Sequence, residues 1–516
     1  MNRKPCKTEL SRALGLLCLA IASGSAFAQE TEAGQDGDQA VQLDTVTVRG
    51  FRQSLQYSTE AKRDSTGFTD SIFAEDIGKF PDTNIAESLA RVPGIQLNRD
   101  VNGEGLNIAI RGLPNSFTKT TINGASVATA SIGLDATNQN REVDLNIFPT
   151  EFFNQLTVYK SPTAKLPEGG AAGVVDMRNM RPFDMPGSHL TYSLQADYND
   201  NSEKTSPRGT VIGSWTNADG TFGVLAGVTS QRGKLGVEGY ETIGWTNPNL
   251  TNAQCGNGGA PDGFPALGQP CNVTGGNGWR IPDSVPNNGS TIAAGLTPGQ
   301  AIDAAWLEAN NPGLSAAQIG EALIPRLGRP VHMSGDRDRD AFLASVQWRP
   351  NDSVEAYVDV LYTDAHRTNQ RLDMNLVGRN GAIIPLDMQL DANNVVTSAT
   401  FTNAQFFLEA RPYVEDVKYW HVTPGATFWF GADQNIKLDV QANASRSWMF
   451  RESPTILFNS PFTTLQYTNN GDVPSWTTGI DLNDPNLGWT WEGGRVWAQN
   501  EKRVTETSGF RADLQL

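Results

Sequence analysis

The chain has 516 residues, of which 38% are hydrophobic and 51 are glycine, and its formal net charge at pH 7 is −16. Beyond the N-terminus no stretch approaches the 18 uninterrupted apolar residues of a membrane-spanning helix, so a helical membrane bundle is excluded. The acidic balance argues against a nucleic-acid partner and, with less force, against a strongly anionic ligand. A β-barrel fits this composition, because its strands alternate lipid-facing apolar residues with polar residues that face the lumen.

Residues 1–28 have the three parts of a secretory signal peptide. Arg3 and Lys4 begin a basic segment, residues 13–22 are apolar, and Ala26-Phe27-Ala28 is a small-x-small cleavage site. The apolar run is too short to span a bilayer, so we expect cleavage after Ala28.

Cleavage would leave two cysteines, Cys255 and Cys271, in a region rich in glycine, proline and asparagine. In an exported protein this pair predicts a loop disulfide that contributes about 3 kcal/mol through chain entropy. Two free thiols are the alternative. The four histidines are scattered, so we expect neither a metal site nor another cofactor.

Residues 29–75 are predicted to form a flexible linker that contains one β-prone segment. Residues 29–42 are polar with little to bury, which predicts disorder. The segment Asp44, Thr45, Val46, Thr47 and Val48 favours an extended chain that could pair with the sheet edge of a partner. Any exposed strand can have this composition, so the alternative is an ordinary exposed strand. Residues 51–70 suggest a polar helix or further linker.

Residues 76–187 alternate short helix and strand signals and predict a compact α+β domain. Asp82 or Thr83 can cap a helix through Leu89 that ends at Pro93-Gly94. A strand is predicted over 106–111, and Asn123-Gly124 is a tight hairpin signal. We expect a helical turn at 149–154 and a strand at 156–159.

After Pro186-Gly187 the apolar residues recur with period two. This pattern predicts an antiparallel sheet with an apolar face toward lipid and a polar face toward the lumen. Short connections alternate with long ones, as in outer-membrane barrels, whose periplasmic turns are short and whose external loops are long. Eight strands are predicted, at residues 188–198, 207–216, 221–231, 338–349, 353–365, 416–430, 435–447 and 506–516.

The order of these segments resembles the start of a TonB-dependent outer-membrane receptor. Residues 80–95, 110–113 and 167–184 resemble the receptor subgroup abundant in xanthomonads and caulobacters. The resemblance implies that residues 44–48 are the TonB box grasped by the inner-membrane protein TonB. It also implies that 76–187 are a plug filling the barrel, and that Arg111 helps lock the plug to barrel carboxylates. A pairing of Arg111 inside the plug is the alternative.

The resemblance also implies a truncated chain. Eight strands enclose a barrel that their own side chains fill, whereas plugged transporters have about 22 strands. We therefore interpret residues 188–516 as a partial transmembrane β-barrel from the front of a longer protein in the bacterial outer membrane, in contact with its lipid.

The predicted function is TonB-dependent import of a scarce small molecule by a monomer. Flat aromatic faces stack on sugars, so we expect an oligosaccharide ligand and name the candidate contacts in the external loops, Trp245, Trp279, Trp476, Trp489 and Trp491. Loop packing is the alternative role of these tryptophans.

A ferric siderophore is the alternative ligand, and a carbohydrate-binding adhesin or a passive porin is the alternative class of protein. An enzyme is not expected, because no Ser/His/Asp grouping, nucleophile elbow or metal spacing is present. The charges of residues 336–340, Asp-Arg-Asp-Arg-Asp, are expected to pair with each other.

Overall fold

A computed structural model describes residues 50–74, 84–100, 103–131, 142–256, 278–379, 381–431, 433–469 and 471–516. The signal peptide and the predicted TonB box lie outside these ranges. None of the helices in the described residues is long and apolar enough to cross a membrane.

The N-terminal part is a small α+β domain, which we call the plug. Its elements are α1 Gly50–Asp64, β1 Thr69–Phe73, α2 Ile85–Ala90, β2 Ile95–Arg99, β3 Gly105–Ile110, β4 Thr118–Ile122, β5 Ala125–Ser126, β6 Phe153–Tyr159 and β7 Gly173–Asn179. Single 3-10 turns are formed by Asn115–Phe117, Leu145–Ile147, Thr150–Phe152 and Pro182–Asp184. The main sheet has the order β1-β6-β7-β4-β5, and β2 pairs with β3.

Several local predictions for the plug are confirmed. Asn123 (φ 52°) and Gly124 (φ 76°) form the hairpin turn between β4 and β5, with the left-handed backbone that such a turn requires. The helix with Leu89 on its buried face is present, but the described cap is Asn84, whose side chain accepts from the amides of Ala86 and Glu87. Asp82 and Thr83 lie outside the described residues.

Within the linker predicted over 29–75, the alternative of a polar helix in residues 51–70 is confirmed, whereas a flexible linker at residues 69–73 is wrong. Residues 50–64 form α1, and residues 69–73 form β1, an edge strand of the plug sheet. Ser54 donates to the carbonyl of Phe73 (2.7 Å) and Tyr57 packs edge-on against the Phe73 ring, so tertiary contacts order a segment whose polar composition suggested a linker.

The remaining elements are, in chain order, β8 Ser188–Asn199, β9 Lys204–Thr216, β10 Phe222–Thr242, β11 Trp245–Thr246, β12 Pro248–Asn249, α3 Asn252–Cys255, β13 Trp279–Arg280, α4 Gly289–Ala293, α5 Ala304–Asn310, α6 Ala316–Gly320, β14 Ile324–Pro325, β15 Leu327–Asn351, β16 Val354–Val377, β17 Ile384–Leu390, β18 Val396–Ala404, β19 Phe406–Ala410, β20 Tyr413–Phe430, β21 Ile436–Asn459, β22 Thr463–Thr468, β23 Ser475–Thr478 and β24 Thr490–Gln515.

Nine of these strands form one sheet, which we call the wall. Its eight long strands are antiparallel neighbours in the order β8-β9-β10-β15-β16-β20-β21-β24, and short β19 joins β16 and β21. Each predicted strand lies within or overlaps one of these long strands, but several extend by ten or more residues toward the long connections. A closed barrel of about 22 strands stays a prediction.

The described residues contain two large hydrophobic cores and one small cluster of Val331, Met333 and Tyr413. The first joins plug to wall, since Phe148 and Phe152 of the plug share it with Leu225, Leu343 and Tyr419 of the wall. The second lies mainly in the long connections, whose described residues 243–256, 278–326, 381–405, 460–469 and 471–489 form a folded layer that we call the cap. The four-stranded sheet β17-β18-β22-β23 lies in this layer.

The charged segment 336–340 is split between the two faces of the wall. Because side chains alternate along β15, Arg339 faces the plug, whereas Asp340 faces outward and pairs with Arg232 (2.9 Å). Asp336 pairs with Lys234 (2.7 Å). The prediction that these five charges pair with each other is therefore wrong, because neighbours along a strand point in opposite directions.

A glycine of the wall makes room for the plug. A Cβ added at Gly227 would lie 3.1 Å from Phe152 and 3.2 Å from Ile212. We expect Gly227→Val to weaken plug docking by roughly 1–3 kcal/mol, because extra methyl groups overpack this contact. Thermal unfolding and limited proteolysis of residues 50–187 would measure the effect.

The matched control is Gly213→Val, since no atom lies within 4 Å of a Cβ at that position. Equal melting temperatures of the two variants would contradict the assignment of Gly227 to the docking contact.

Candidate ligand site between plug and wall

Buried ion pairs fasten one segment of the plug, residues 144–151, to the wall. Arg208 of β9 forms an ion pair with Glu151, and both side chains are about 5% exposed. Arg367 of β16 donates to Asp144 (2.8 Å), whose side chain is fully buried. Breaking such a pair leaves an uncompensated buried charge, which costs about 3–5 kcal/mol.

Arg339 of β15 also holds this plug segment, but it binds backbone carbonyl oxygens and not a carboxylate. Its guanidinium donates to the carbonyl oxygens of Asn146 and Phe148 (3.3 Å), at the end of the 3-10 turn Leu145–Ile147. Three strands of the wall, β9, β15 and β16, therefore hold one short plug segment through arginines. We call Arg208, Arg339 and Arg367 the wall clamp.

A further ion pair between plug and wall lies nearer the short turns of the wall. In this pair the arginine belongs to the plug. Arg181 donates to Asp359 (2.7 Å) and its guanidinium carbon lies 3.5 Å from the centre of the Tyr357 ring. Asp359 also accepts from Asn123 (3.1 Å) and Ser345 (2.7 Å), so this buried carboxylate is fully engaged.

The predicted lock residue Arg111 makes a different contact. Its guanidinium donates to the carbonyl oxygen of Lys160 (2.8 Å), which is inside the plug, and its backbone is left-handed (φ 54°). A role for Arg111 as plug–barrel lock stays a prediction. Sequence reasoning missed the clamp arginines, because alternation in a wall strand does not reveal which inward position meets the plug.

The N-terminal edge of the plug is held more lightly. Strand β1 pairs only with β6 among the described strands, over five residues, and Ser71 hydrogen-bonds Thr157 across the pair (3.0 Å). Asp70 bridges Lys62 (2.7 Å) and Lys160 (2.5 Å).

Burial raises the pKa of Asp70, but hydrogen bonds and charges from Lys160 and Lys62 outweigh it and hold this pKa below its usual value. The stabilisation is therefore present at neutral pH and is lost as the pH falls through that lowered pKa.

A cavity of about 460 Å³ lies between plug and wall, on the side of the clamp that faces the cap. This volume is in the range of small-molecule sites. The plug contributes α2, the β2–β3 hairpin and the turn at 145–148. The wall contributes Asp197, Tyr198, Arg208, Gln231, Lys234, Arg337, Arg339 and Arg367 among others.

The five predicted tryptophan contacts have different environments, and none of them lines this cavity. Trp245 and Trp491 are 49% and 59% exposed. Trp489 packs against Phe458 and donates to the carbonyl of Asp484 (3.0 Å). Trp476 packs against Phe406.

Trp279 is fully buried in the core of the cap, beside Phe401. The structure therefore assigns it to packing and contradicts its prediction as a ligand contact.

Cys255 is disulfide-bonded, whereas Cys271 lies outside the described residues, so the Cys255–Cys271 pairing stays a prediction. In the described part of the chain no group of three or more His, Cys, Asp or Glu side chains could hold a metal ion.

Comparison with known proteins gives one match in sequence and several in structure. Residues 61–175 match the family model of the TonB-dependent receptor plug domain. No curated protein matches the sequence.

Similar solved structures include the ferric enterobactin receptor of Pseudomonas aeruginosa, with 11% identity, a TM-score of 0.35, and coverage of 82% of this chain and 60% of the other. They also include the outer membrane transporter YddB of Escherichia coli, with 10% identity, a TM-score of 0.32 and coverage of 80% and 57%. The chain thus spans about three fifths of the length of these proteins.

The matched residues 61–175 begin inside α1 and include β1, in agreement with the plug boundary seen in the structure. Residues 61–175 therefore match the plug domain of the TonB-dependent receptors, a domain that is typical of outer-membrane receptors.

Proposed function

We propose that the chain acts, within the whole protein, as a TonB-dependent receptor that imports a scarce small molecule across the outer membrane and is not an enzyme. The observation that carries this proposal is a family-matched plug held against the inner face of a sheet of long strands. The outer face of that sheet is apolar and exposed at Leu190, Tyr192, Val346 and Val358, as contact with lipid requires.

The plug is held firmly at residues 144–151 and lightly at β1, and this difference suggests how a pull by TonB could move part of it. TonB would grip residues 44–48, only a few residues before α1, and a pull would reach α1 and then β1. A five-residue edge ladder is weaker than the buried wall clamp. We infer that β1 leaves β6 while residues 144–151 stay fixed, which opens a path beside the plug.

A disulfide between β1 and β6 tests this order of events. Ser71 and Thr157 are register partners, and their oxygen atoms are 3.0 Å apart, so Ser71→Cys with Thr157→Cys should form a cross-strand disulfide. We expect uptake to fall at least about tenfold under oxidising conditions and to return after reduction, because the link prevents β1 from leaving.

The matched control places the same chemistry in the wall. Ser445 and Thr507 are also register partners, with oxygens 2.6 Å apart, and Ser445→Cys with Thr507→Cys should leave uptake unchanged. Normal uptake through the oxidised Ser71/Thr157 variant would show that β1 does not need to move.

For the ligand we propose an oligosaccharide, supported by two exposed tryptophan faces in or near the cap, Trp245 and Trp491. A ferric siderophore is the alternative for a protein of this fold. We also propose, from the motif at residues 80–95, that the chain belongs to the receptor subgroup abundant in xanthomonads and caulobacters.

Replacement of these tryptophans tests the ligand class. We expect Trp245→Ala or Trp491→Ala to weaken oligosaccharide binding about tenfold, because each variant removes a stacking surface, and to leave ferric-siderophore binding unchanged. Titration of tryptophan fluorescence with both ligand classes would measure this. Trp279→Phe is the buried control. Unchanged oligosaccharide binding in both alanine variants would reject the stacking role.

Deletion of residues 44–48 distinguishes the rival classes of protein. We expect the deletion to abolish uptake by a TonB-dependent receptor, whereas a passive porin or an adhesin would keep its activity. The measurement is growth of a gene-deletion strain, complemented with the full gene, on single oligosaccharides or iron sources.

A further inference from the structure

The arginines that line the cavity between plug and wall differ in their partners. Four arginines line it, and two of them have carboxylate partners: Arg208 pairs with Glu151, and Arg367 with Asp144 and Glu415. Within the described ranges no carboxylate oxygen lies within 4 Å of the other two guanidiniums, those of Arg337 and Arg339. An inward-facing cation without a counter-charge is costly, so a partner for it is expected.

Arg339 is the more buried of these two side chains. The residue is 9% exposed, and its hydrogen bonds go only to neutral acceptors, namely two plug carbonyls and the amide oxygen of Gln231 (2.9 Å). Its Nε has no partner in the described structure. These contacts use part of its hydrogen-bonding capacity, and the carboxylates that attract its charge, Glu151 and Glu104, do so from beyond ion-pair distance.

Arg337 lies one inward position closer to the cap on the same strand. It donates to the carbonyl oxygens of Asp336 (2.9 Å) and Thr368 (2.8 Å) and to the Tyr413 hydroxyl (3.3 Å), which are again neutral acceptors. The neighbouring strand makes room for it at Gly233, where a Cβ would lie 2.9 Å from the Arg337 Cβ.

Five acidic residues line the described part of the cavity, and none of them forms an ion pair within 4 Å with Arg337 or Arg339. Glu87 binds Arg99 (3.1 Å), Asp338 lies 4.0 Å from Arg232, and Glu104 acts on the charge of Arg339 only from a longer distance. Both guanidinium groups line the cavity, and the guanidinium group is the side chain that suits carboxylate or phosphate.

We propose that Arg337 and Arg339 bind an anionic group, a carboxylate or phosphate, of the imported molecule. This inference rests on the proposed transport function and adds to it that the ligand is acidic, such as an acidic oligosaccharide or a carboxylate chelate of iron. The net charge of −16 does not oppose such a ligand, because binding depends on the local field inside the cavity.

Matched charged and uncharged probes test this assignment on the purified full-length protein. Trigalacturonate and its methyl ester differ in charge but share one sugar backbone, and ferric citrate represents the chelates. We expect at least one anion to bind about tenfold or more tighter than the ester, with an affinity that falls as salt rises. Arg337→Gln and Arg339→Gln should each remove about tenfold of that affinity.

Two further variants separate anion binding from folding. Arg339→Lys keeps the charge next to the plug and should retain part of the affinity, and Arg337→Gln leaves the contacts between wall and plug intact. Arg232→Gln is the matched control, since Arg232 lies at a similar height but points outward toward Asp340 (2.9 Å). It should bind the anions like the unmodified protein.

Three results would overturn the proposal: equal binding of the ester, no binding of either anion, or unchanged affinity in both glutamine variants. The transport function is judged separately, by the dependence of uptake on residues 44–48. Uptake that needs this segment but shows no preference for anions rejects only the anion site. Anion preference without that dependence rejects only the transport mechanism.

Discussion

The attachment of the plug segment 144–151 to three wall strands is the constraint on which the rest of the structure depends. A carboxylate inside a sheet lumen is stable only when a cation meets it, and Arg208 and Arg367 meet Glu151 and Asp144 with almost no exposure to solvent. The apolar contact of Phe148 and Phe152 with the wall surrounds these pairs. Position and orientation of the plug follow from this combination.

That attachment divides the plug into a fixed part and a lightly held part. The fixed part carries the turn at 145–148 and supports one side of the cavity. The lightly held part is the edge strand β1, joined to β6 by five register pairs and by the Lys160–Asp70 ion pair that follows β6. Under the proposed mechanism, a force applied from the N-terminus would move β1 before it disturbed the clamp.

The same alternation that builds the wall also separates its charges. Along residues 336–340 the three aspartates pair with Arg232 and Lys234 of β10, and the arginines face the plug and the cavity. A chain with a strongly negative net charge thus has guanidinium groups on the inner surface that a ligand would meet. Global charge and local field differ because period-two geometry sorts neighbouring residues onto opposite faces.

The sequence by itself determined the plug motifs, the period-two strands, the tight turn at Asn123-Gly124 and the alternation of short and long connections. These features depend on local backbone preference and on the burial of one strand face, which are readable along the chain. Tertiary structure alone decided that residues 69–73 join the plug sheet, that Trp279 is buried in the cap, and that Arg208, Arg339 and Arg367 meet the plug. Each of these depends on which distant residues become neighbours, and residues as far apart as 144 and 367 carry no local signal of their contact.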